Sequence, residues 1–250
     1  MSRIMLGIKL WSSNLDCLPS VKRSIVGGDV HYIEIMPVPS QNDVEPFQQL
    51  KCPVVIHVNT DRRKINIADP AMLKENLKSI QNDIRWADEL NAKNIIVHPG
   101  LGNIHDAVKF IRGLNDERVI VENMPKISLN GDIMIAHSIE DIKTFQNHDI
   151  GFCLDFNHAM RAATSLNIPE KRFIRDLNSI SPMMFHISDG NKKREKDEHI
   201  HLGAGDFDIP FFVNIANKKQ DSYVTLETPK NTVEDDARNI EFIKKVIARG

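Results

Sequence analysis

Six short apolar runs in this chain end on residues of types that bind metal ions. His57 closes Pro53–His57, His98 closes Asn94–His98, Glu122 closes Arg118–Glu122, Asp155 closes Gly151–Asp155, His186 closes Met183–His186 and Glu227 closes Tyr223–Glu227. Further donors follow. Asp155-Phe-Asn-His158 puts an imidazole three residues past a carboxylate, on the loop or first turn, and Asp197-Glu-His199 puts a carboxylate and an imidazole two apart. Carboxylates held close together destabilise one another. Divalent cations remove that conflict, and imidazole plus carboxylate suits Zn²⁺, with Mn²⁺ or Fe²⁺ as alternatives. Cys17, Cys52 and Cys153 form no CxxC pair, and Cys153 lies inside one of the runs, so reduced, mostly buried thiols are expected rather than ligands.

Positioning those donors requires the runs to be strands of one sheet. With Ile4–Leu10 and Val30–Ile35 added there are eight, several of them continuous, such as Val54-Val55-Ile56 and Ile95-Ile96-Val97. Continuous apolar runs fit strands covered on both faces, as in parallel sheets. Helical patterns separate them. Asp69-Pro70 reads as a cap with proline in the first turn. After it Leu73, Leu77, Ile80, Ile84 and Ala87 mark one apolar face. Ile104–Leu114, a helix opened by Ser138 with Glu140 and Asp141 in its first turn, Ser20–Val26 and Val233–Ala248 complete the set, and the segment between Pro37 and Lys51 carries the faintest signal.

The 250 residues divide into eight β-then-α units of about 31 residues, the size of a βαβ unit. The chain reads as α/β, a single (β/α)8 TIM barrel filling one domain over 1–250. A doubly wound open sheet is the rival, but its GxGxxG phosphate loop is absent; Gly100-Leu101-Gly102 lacks the third glycine. In a barrel the C-terminal strand ends carry the active site, so all six terminal donors would converge there.

Composition sets the outer limits. At 41% hydrophobic and 26% charged, the chain is neither collagen-like nor largely disordered. No apolar run approaches the ~20 residues of a membrane helix, so no membrane partner is expected. Met1-Ser2-Arg3-Ile4-Met5-Leu6 leads into Gly7 and Lys9 without a long apolar core, so a cytoplasmic location is expected. A net charge of −2 excludes nucleic-acid binding through bulk charge but not through local patches.

The donor pattern resembles the endonuclease IV family of AP endonucleases, within the xylose isomerase-like TIM barrel superfamily. The matching pieces are Val55-Ile-His57, Val97-His-Pro-Gly100, Val121-Glu-Asn123, Leu154-Asp-Phe-Asn-His-Ala159, Phe185-His-Ile-Ser-Asp189, Asp197-Glu-His199 with Leu202-Gly-Ala-Gly205, and Leu226-Glu-Thr228, together with Ile65-Asn-Ile67. The resemblance implies up to three metal ions, normally zinc. His57, His98 and Glu122 would hold the first. Glu122 would bridge to a second held also by Asp155, His186 and Glu227, and His158, Asp197 and His199 would hold the third. The implied activity is that of a metal-dependent hydrolase of DNA repair. A metal-bound hydroxide, oriented by Glu122 and Glu227 as catalytic residues, would attack the phosphodiester 5′ to an abasic site. Four acidic ligands against three dications leave about +2, which attracts a phosphate.

The same superfamily contains divalent-metal sugar isomerases and epimerases, and these resemble the chain through Glu122, Asp155, His186 and Glu227 alone. There one Mn²⁺-like metal binds, the two glutamates transfer a proton, and the substrate is a small free or phosphorylated sugar. His57, His98, Asp197 and His199 have no ligand role in that reading. Endonuclease IV members push an arginine and an aromatic residue into the duplex from the second and third βα loops. Here Met36-Pro-Val-Pro-Ser-Gln-Asn42 has no arginine, Thr60 stands where the aromatic is expected, and the His98–Glu122 segment is shorter than the family norm. Two basic clusters are candidates for gripping substrate phosphate: Arg62 and Arg63 with Lys64, and Lys192, Lys193 and Arg194 with Lys196. His201 is a candidate for orienting His199, and Ser188 and Asp189 for hydrogen-bonding His186 or the substrate. Gly203 and Gly205 suggest a tight turn. His31, His105, His137 and His148 are expected at the surface.

Overall fold

The computed structural model describes residues 4–58 and 64–249. Eight parallel strands close into a barrel in sequence order: β1 (Ile4–Trp11), β2 (Tyr32–Met36), β3 (Val54–His57), β4 (Ile95–Val97), β5 (Val119–Glu122), β6 (Phe152–Asp155), β7 (Met184–Ile187) and β8 (Ser222–Leu226), with β8 pairing back onto β1. This is the expected (β/α)8 barrel. Some strand ends move. β2 begins at Tyr32, while β4 stops at Val97 and β8 at Leu226, so His98 and Glu227 stand one residue beyond their strands rather than closing them. Ile187, not His186, ends β7.

Among the described residues the helices are α1 (Leu18–Val26), α2 (Glu45–Gln48), α3 (Leu73–Glu89), α4 (Ile104–Leu114), α5 (Ile139–Gln146), α6 (Phe156–Leu166), α7 (Glu170–Ser179), α8 (Ile209–Ala216) and α9 (Asp235–Ile247). The capping signals act as their chemistry dictates. The Asp69 carboxylate accepts the Ala71 N–H at the start of the short 3-10 turn that feeds α3, and the Ser138 hydroxyl accepts the Asp141 N–H at the start of α5. Asn115, in the left-handed region at φ 52°, ends α4. Three helices are additional to those expected: α6, α7 and α8. In α6, Phe156, Ala159, Met160 and Ala163 do recur at helical spacing, and the polar residues between them are buried too, from Phe156 through Ala163. Of the Pro37–Lys51 segment, only Glu45–Gln48 is helical.

Strand alternation builds two layers inside the barrel. Tyr32, Val55, Ile96, Ile120, Cys153 and Met184, with Tyr223, form an apolar cluster separate from the larger one between strands and helices. Burying each such side chain contributes roughly 1.5–3 kcal/mol. Two residues further along each strand, on the same face, come Glu34, His57, His98, Glu122, Asp155, His186 and Thr225. The apolar layer is thus the floor on which the polar layer stands. Gly7 makes the floor possible, since a Cβ there would lie 2.3 Å from the Tyr32 ring. No helix among the described residues is long and apolar enough to cross a membrane.

Candidate metal centre

The nine expected donors come together in three groups, and within each group one ligand atom per residue lies within 4.8 Å of the others: His57, His98 and Glu122; Glu122, Asp155, His186 and Glu227; and His158, Asp197 and His199. Glu122 belongs to two of them. Its Oε2 lies 3.0 Å from His57 Nε2 and 3.1 Å from His98 Nε2, while its Oε1 lies 3.2 Å from His186 Nδ1. In the second group, His186 Nδ1 is 2.8 Å from Glu227 Oε2 and 3.8 Å from Asp155 Oδ2. In the third, Asp197 Oδ2 is 3.1 Å from His199 Nε2 and 3.6 Å from His158 Nε2.

The backbone orients these rings. His57 Nδ1 faces the Val58 carbonyl at 3.2 Å, His158 Nδ1 that of Asn123 at 2.9 Å, and His199 Nδ1 that of Glu227 at 2.9 Å. A carbonyl can only accept, so each Nδ1 carries a proton and each Nε2 is the nitrogen turned toward the cluster, where a metal would take the place of any second proton. Asp155 serves twice. Its Oδ1 caps α6 by accepting the His158 N–H at 2.6 Å, which places His158 in the first turn. Its Oδ2 is buried without a hydrogen-bond partner, as is Asp197 Oδ1, while Glu227 Oε2 has only the His186 ring beside it at 2.8 Å. Buried carboxylate oxygens left unpaired in a bowl of imidazoles are what a cation site requires, so the residues present fit divalent metal.

Electrostatics point the same way. Burial pushes Glu122 upward, but His186, His158 and His57 outweigh it and hold the carboxyl well below its usual range. Burial opposes a proton on His158, yet Asp155 and Asp197 raise its pKa well above an ordinary imidazole's. His199 rises to about 9 against burial, driven by Asp197 and Glu227. Asp155 is raised, by burial first and then by Glu122 and Glu227. Burial lifts the Cys153 thiol to about 12, which keeps it neutral and out of the donor set.

Two charged residues of this layer were not anticipated. Glu34, from β2, is fully buried and its Oε2 lies 2.9 Å from His186 Nε2. Lys9, from β1, bonds Glu227 Oε1 and lies 3.7 Å from Glu34 Oε1. A signal for both exists in the sequence. Tyr32-Ile-Glu34 repeats the pattern of an apolar inward residue followed two later by a polar one, as in Ile120-Val-Glu122, and Gly7-Ile-Lys9 follows the same phase.

Other expectations are redirected. His201 does not orient His199; its Nδ1 accepts from the Asn239 amide at 3.1 Å. Ser188 Oγ accepts from the Asn157 amide, and Asp189 accepts the N–H groups of Gly190, Gly203, Gly205 and Phe207, so neither turns to His186. Gly203, at φ +83°, does provide the expected turn. Lys192, Lys193 and Arg194 are exposed on the loop that follows β7, at the metal face, with Arg194 Nη1 paired to Glu198 Oε2 at 3.0 Å. Arg62 and Arg63 lie outside the described residues. A cleft of about 430 Å³ opens beside His98, His158 and Asp197, walled by Leu101, Met124 and Met134.

Known proteins of similar sequence and shape fall on both sides of the superfamily. A Probable endonuclease 4 of Solibacter usitatus (strain Ellin6076) is 27% identical over 222 residues, covering 78% of this chain and 76% of that protein. Endonuclease IV from Thermus thermophilus superposes with a TM-score of 0.74 at 19% identity, covering 98% of this chain and 100% of the other. A D-tagatose 3-epimerase-like protein superposes with a TM-score of 0.75 at 18% identity, covering 98% and 97%. The family model described as xylose isomerase-like TIM barrel matches residues 47–246, and with the closed eight-stranded barrel and its polar mouth this chain belongs to that family.

Proposed function

We propose that this chain is a metal-dependent phosphodiesterase of the endonuclease IV type, cutting DNA 5′ to an abasic site in DNA repair. The observation that carries the reading is the gathering of nine donors into three groups at the barrel mouth, two of them sharing Glu122. A one-metal isomerase has no use for His57, His98, Asp197 and His199 at that mouth.

In this reading His57, His98 and Glu122 hold the first cation, Glu122, Asp155, His186 and Glu227 the second, and His158, Asp197 and His199 the third. Bound divalent cations, zinc first with manganese or iron as alternatives, would supply Lewis acidity toward a phosphodiester. The protein supplies direction. The Val58, Asn123 and Glu227 carbonyls fix three imidazoles with Nε2 inward. Lys9 holds Glu227 at one oxygen, and the other stands beside His186 Nδ1. Glu122 and Glu227 are the catalytic carboxylates of this reading, which would orient the attacking water as well as hold metal. Exposed Lys192 and Lys193 grip flanking phosphates, with Arg62 and Arg63 as further candidates. The expected location is cytoplasmic.

The experiment is elemental analysis of the purified protein combined with incubation on an abasic-site duplex. About three metals per chain and a single nick 5′ to the lesion support the reading. One metal per chain and no cleavage refute it.

One observation favours the sugar isomerase or epimerase reading. Glu122, Asp155, His186 and Glu227 form a complete group by themselves, and the second βα loop turns tightly at Val38 and Gln41 without any basic or aromatic side chain to enter a duplex. Under that reading Glu122 and Glu227 shuttle a proton on a ketose, and His199→Ala leaves turnover intact.

A further inference from the structure

The loop from Asp189 to Phe207 carries Asp197 and His199, yet it forms neither helix nor strand beyond one bridge between Asp189 and Ile200. Donors on irregular chain need anchoring if they are to meet a metal in fixed geometry. The anchor at the two ends of the loop is Asp189, through the four N–H groups named above. The middle of the loop has another.

Arg161 lies on α6, three residues after His158, and is 0 % exposed. Its Nη1 donates to the Asn191 carbonyl and, at 3.0 Å, to the Arg194 carbonyl. Its Nη2 lies 3.6 Å from Glu198 Oε1, and its guanidinium carbon sits 5.1 Å from the centre of the Phe207 ring. Gly190 leaves room for it, since a Cβ there would stand 2.3 Å from Nη2. Glu198 is the residue between Asp197 and His199, and its carbonyl accepts from the Asn157 amide at 2.6 Å. α6 therefore grips the ligand loop from beneath with two side chains, Asn157 and Arg161, while presenting His158 to the same metal group.

A fully buried guanidinium is expensive unless it is paired and hydrogen-bonded, and an apolar side chain would fill this space more cheaply. Nothing in the proposed chemistry uses Arg161 directly. Its polar contacts are all with the segment that carries two of the three donors in the third group.

We infer that Arg161 is a positioning residue for the third metal, locking the Asp197–His199 pair against His158 through the loop carbonyls and Glu198. The inference rests on the three-group reading above. Partners of this kind typically change metal affinity by roughly 10–100-fold when removed.

The test uses full-length protein stripped by a chelator and dialysed against graded zinc, with metal per chain measured directly and amide hydrogen exchange followed on the metal-free form. Wild type is expected to take three zinc ions. Arg161→Met is expected to keep two and to bind the third at least about 10-fold more weakly, with faster exchange confined to residues 190–206. Arg161→Lys keeps the charge but not the planar group that reaches the two carbonyls through Nη1 and Glu198 through Nη2, and is expected to recover only part of the loss. Glu198→Gln, whose side chain reaches the surface, is expected to show a smaller weakening of the same third ion, and it decides the question if Arg161→Met does not fold.

Three zinc ions bound with unchanged affinity by both Arg161→Met and Glu198→Gln overturn the inference while leaving the three-group reading standing. Loss spread evenly over all three ions, or exchange raised across the barrel strands, overturns it too, because that is what a purely structural role would give. Fewer than three zinc ions on wild type overturns the three-group reading and takes this inference with it.

Discussion

The Nε2 of His186 lies 2.9 Å from Oε2 of Glu34, a buried carboxylate of the same polar layer three strands round the barrel. That contact fixes which ring nitrogen faces the mouth. Nε2 carries the proton given to Glu34, and Nδ1 turns to Glu122 and Glu227. Thr225 Oγ1 also donates to Glu34, at 2.8 Å, and Lys9 balances its charge. The second metal group thus rests on a polar foundation supplied by β1, β2 and β8.

Glu34→Gln is expected to leave the barrel folded but to weaken metal binding at the second group by roughly 10–100-fold, because His186 loses the anion that raises its basicity. Glu34→Ala is expected to cost about 3 kcal/mol in chemical denaturation, the lower end for breaking a buried ion pair, since Lys9 keeps Glu227. Metal affinity unchanged in Glu34→Gln would show that the contact is only structural.

Glu122→Gln and His199→Ala separate the two enzyme readings. Glu122→Gln is expected to abolish turnover under either one, with metal content falling in the first two groups. His199→Ala is expected to lose the third ion and to reduce nicking of an abasic duplex by roughly 100-fold or more. Retained ketose isomerisation in His199→Ala, measured beside an absence of nicking in wild type, selects the isomerase.

Metal and protons compete for His199. Its pKa in the folded protein is about 9, against 6.5 for the free side chain. In the metal-free protein this raised value contributes stability that is complete below 6.5 and is lost as pH rises through 9. A metal needs the neutral ring, so zinc affinity at the third group should rise with pH through neutrality and level off above about 9. Calorimetric titration in buffers of different ionisation heat should show proton release at about pH 7. A binding constant flat between about pH 6 and 9 would contradict it.

Gly7 is predicted to be intolerant for a reason unconnected with chemistry. Gly7→Val places carbon within the Tyr32 ring contact of 2.3 Å, and the ring is held by a 2.6 Å hydrogen bond between Tyr32 Oη and Thr225 Oγ1. Overpacking of this kind costs about 1–3 kcal/mol. A melting temperature equal to that of wild type would mean the floor repacks freely.

The chain's one-dimensional pattern was enough to determine the barrel and to bring nine candidate donors to its mouth, though not Glu34. Parallel strands covered on both faces are written as continuous apolar runs, and the two-residue alternation carries each run from a floor residue to a donor, as in Val55-Ile-His57 and Cys153-Leu-Asp155. Sequence separation could not decide what those donors touch. Glu34 and His186 are 152 positions apart and meet only because the sheet closes on itself. Lys9 and Glu227 meet for the same reason. His201, two residues past His199, turns away to Asn239, because the direction of a loop side chain follows its local turn and not a strand's alternation. Helix α6 does carry an apolar stripe, Phe156, Ala159, Met160 and Ala163, but its polar residues Asn157, His158 and Arg161 are buried as well, which only the packed structure reveals. Arg161, charged and fully enclosed within it, has a role visible only once the loop above it is in place.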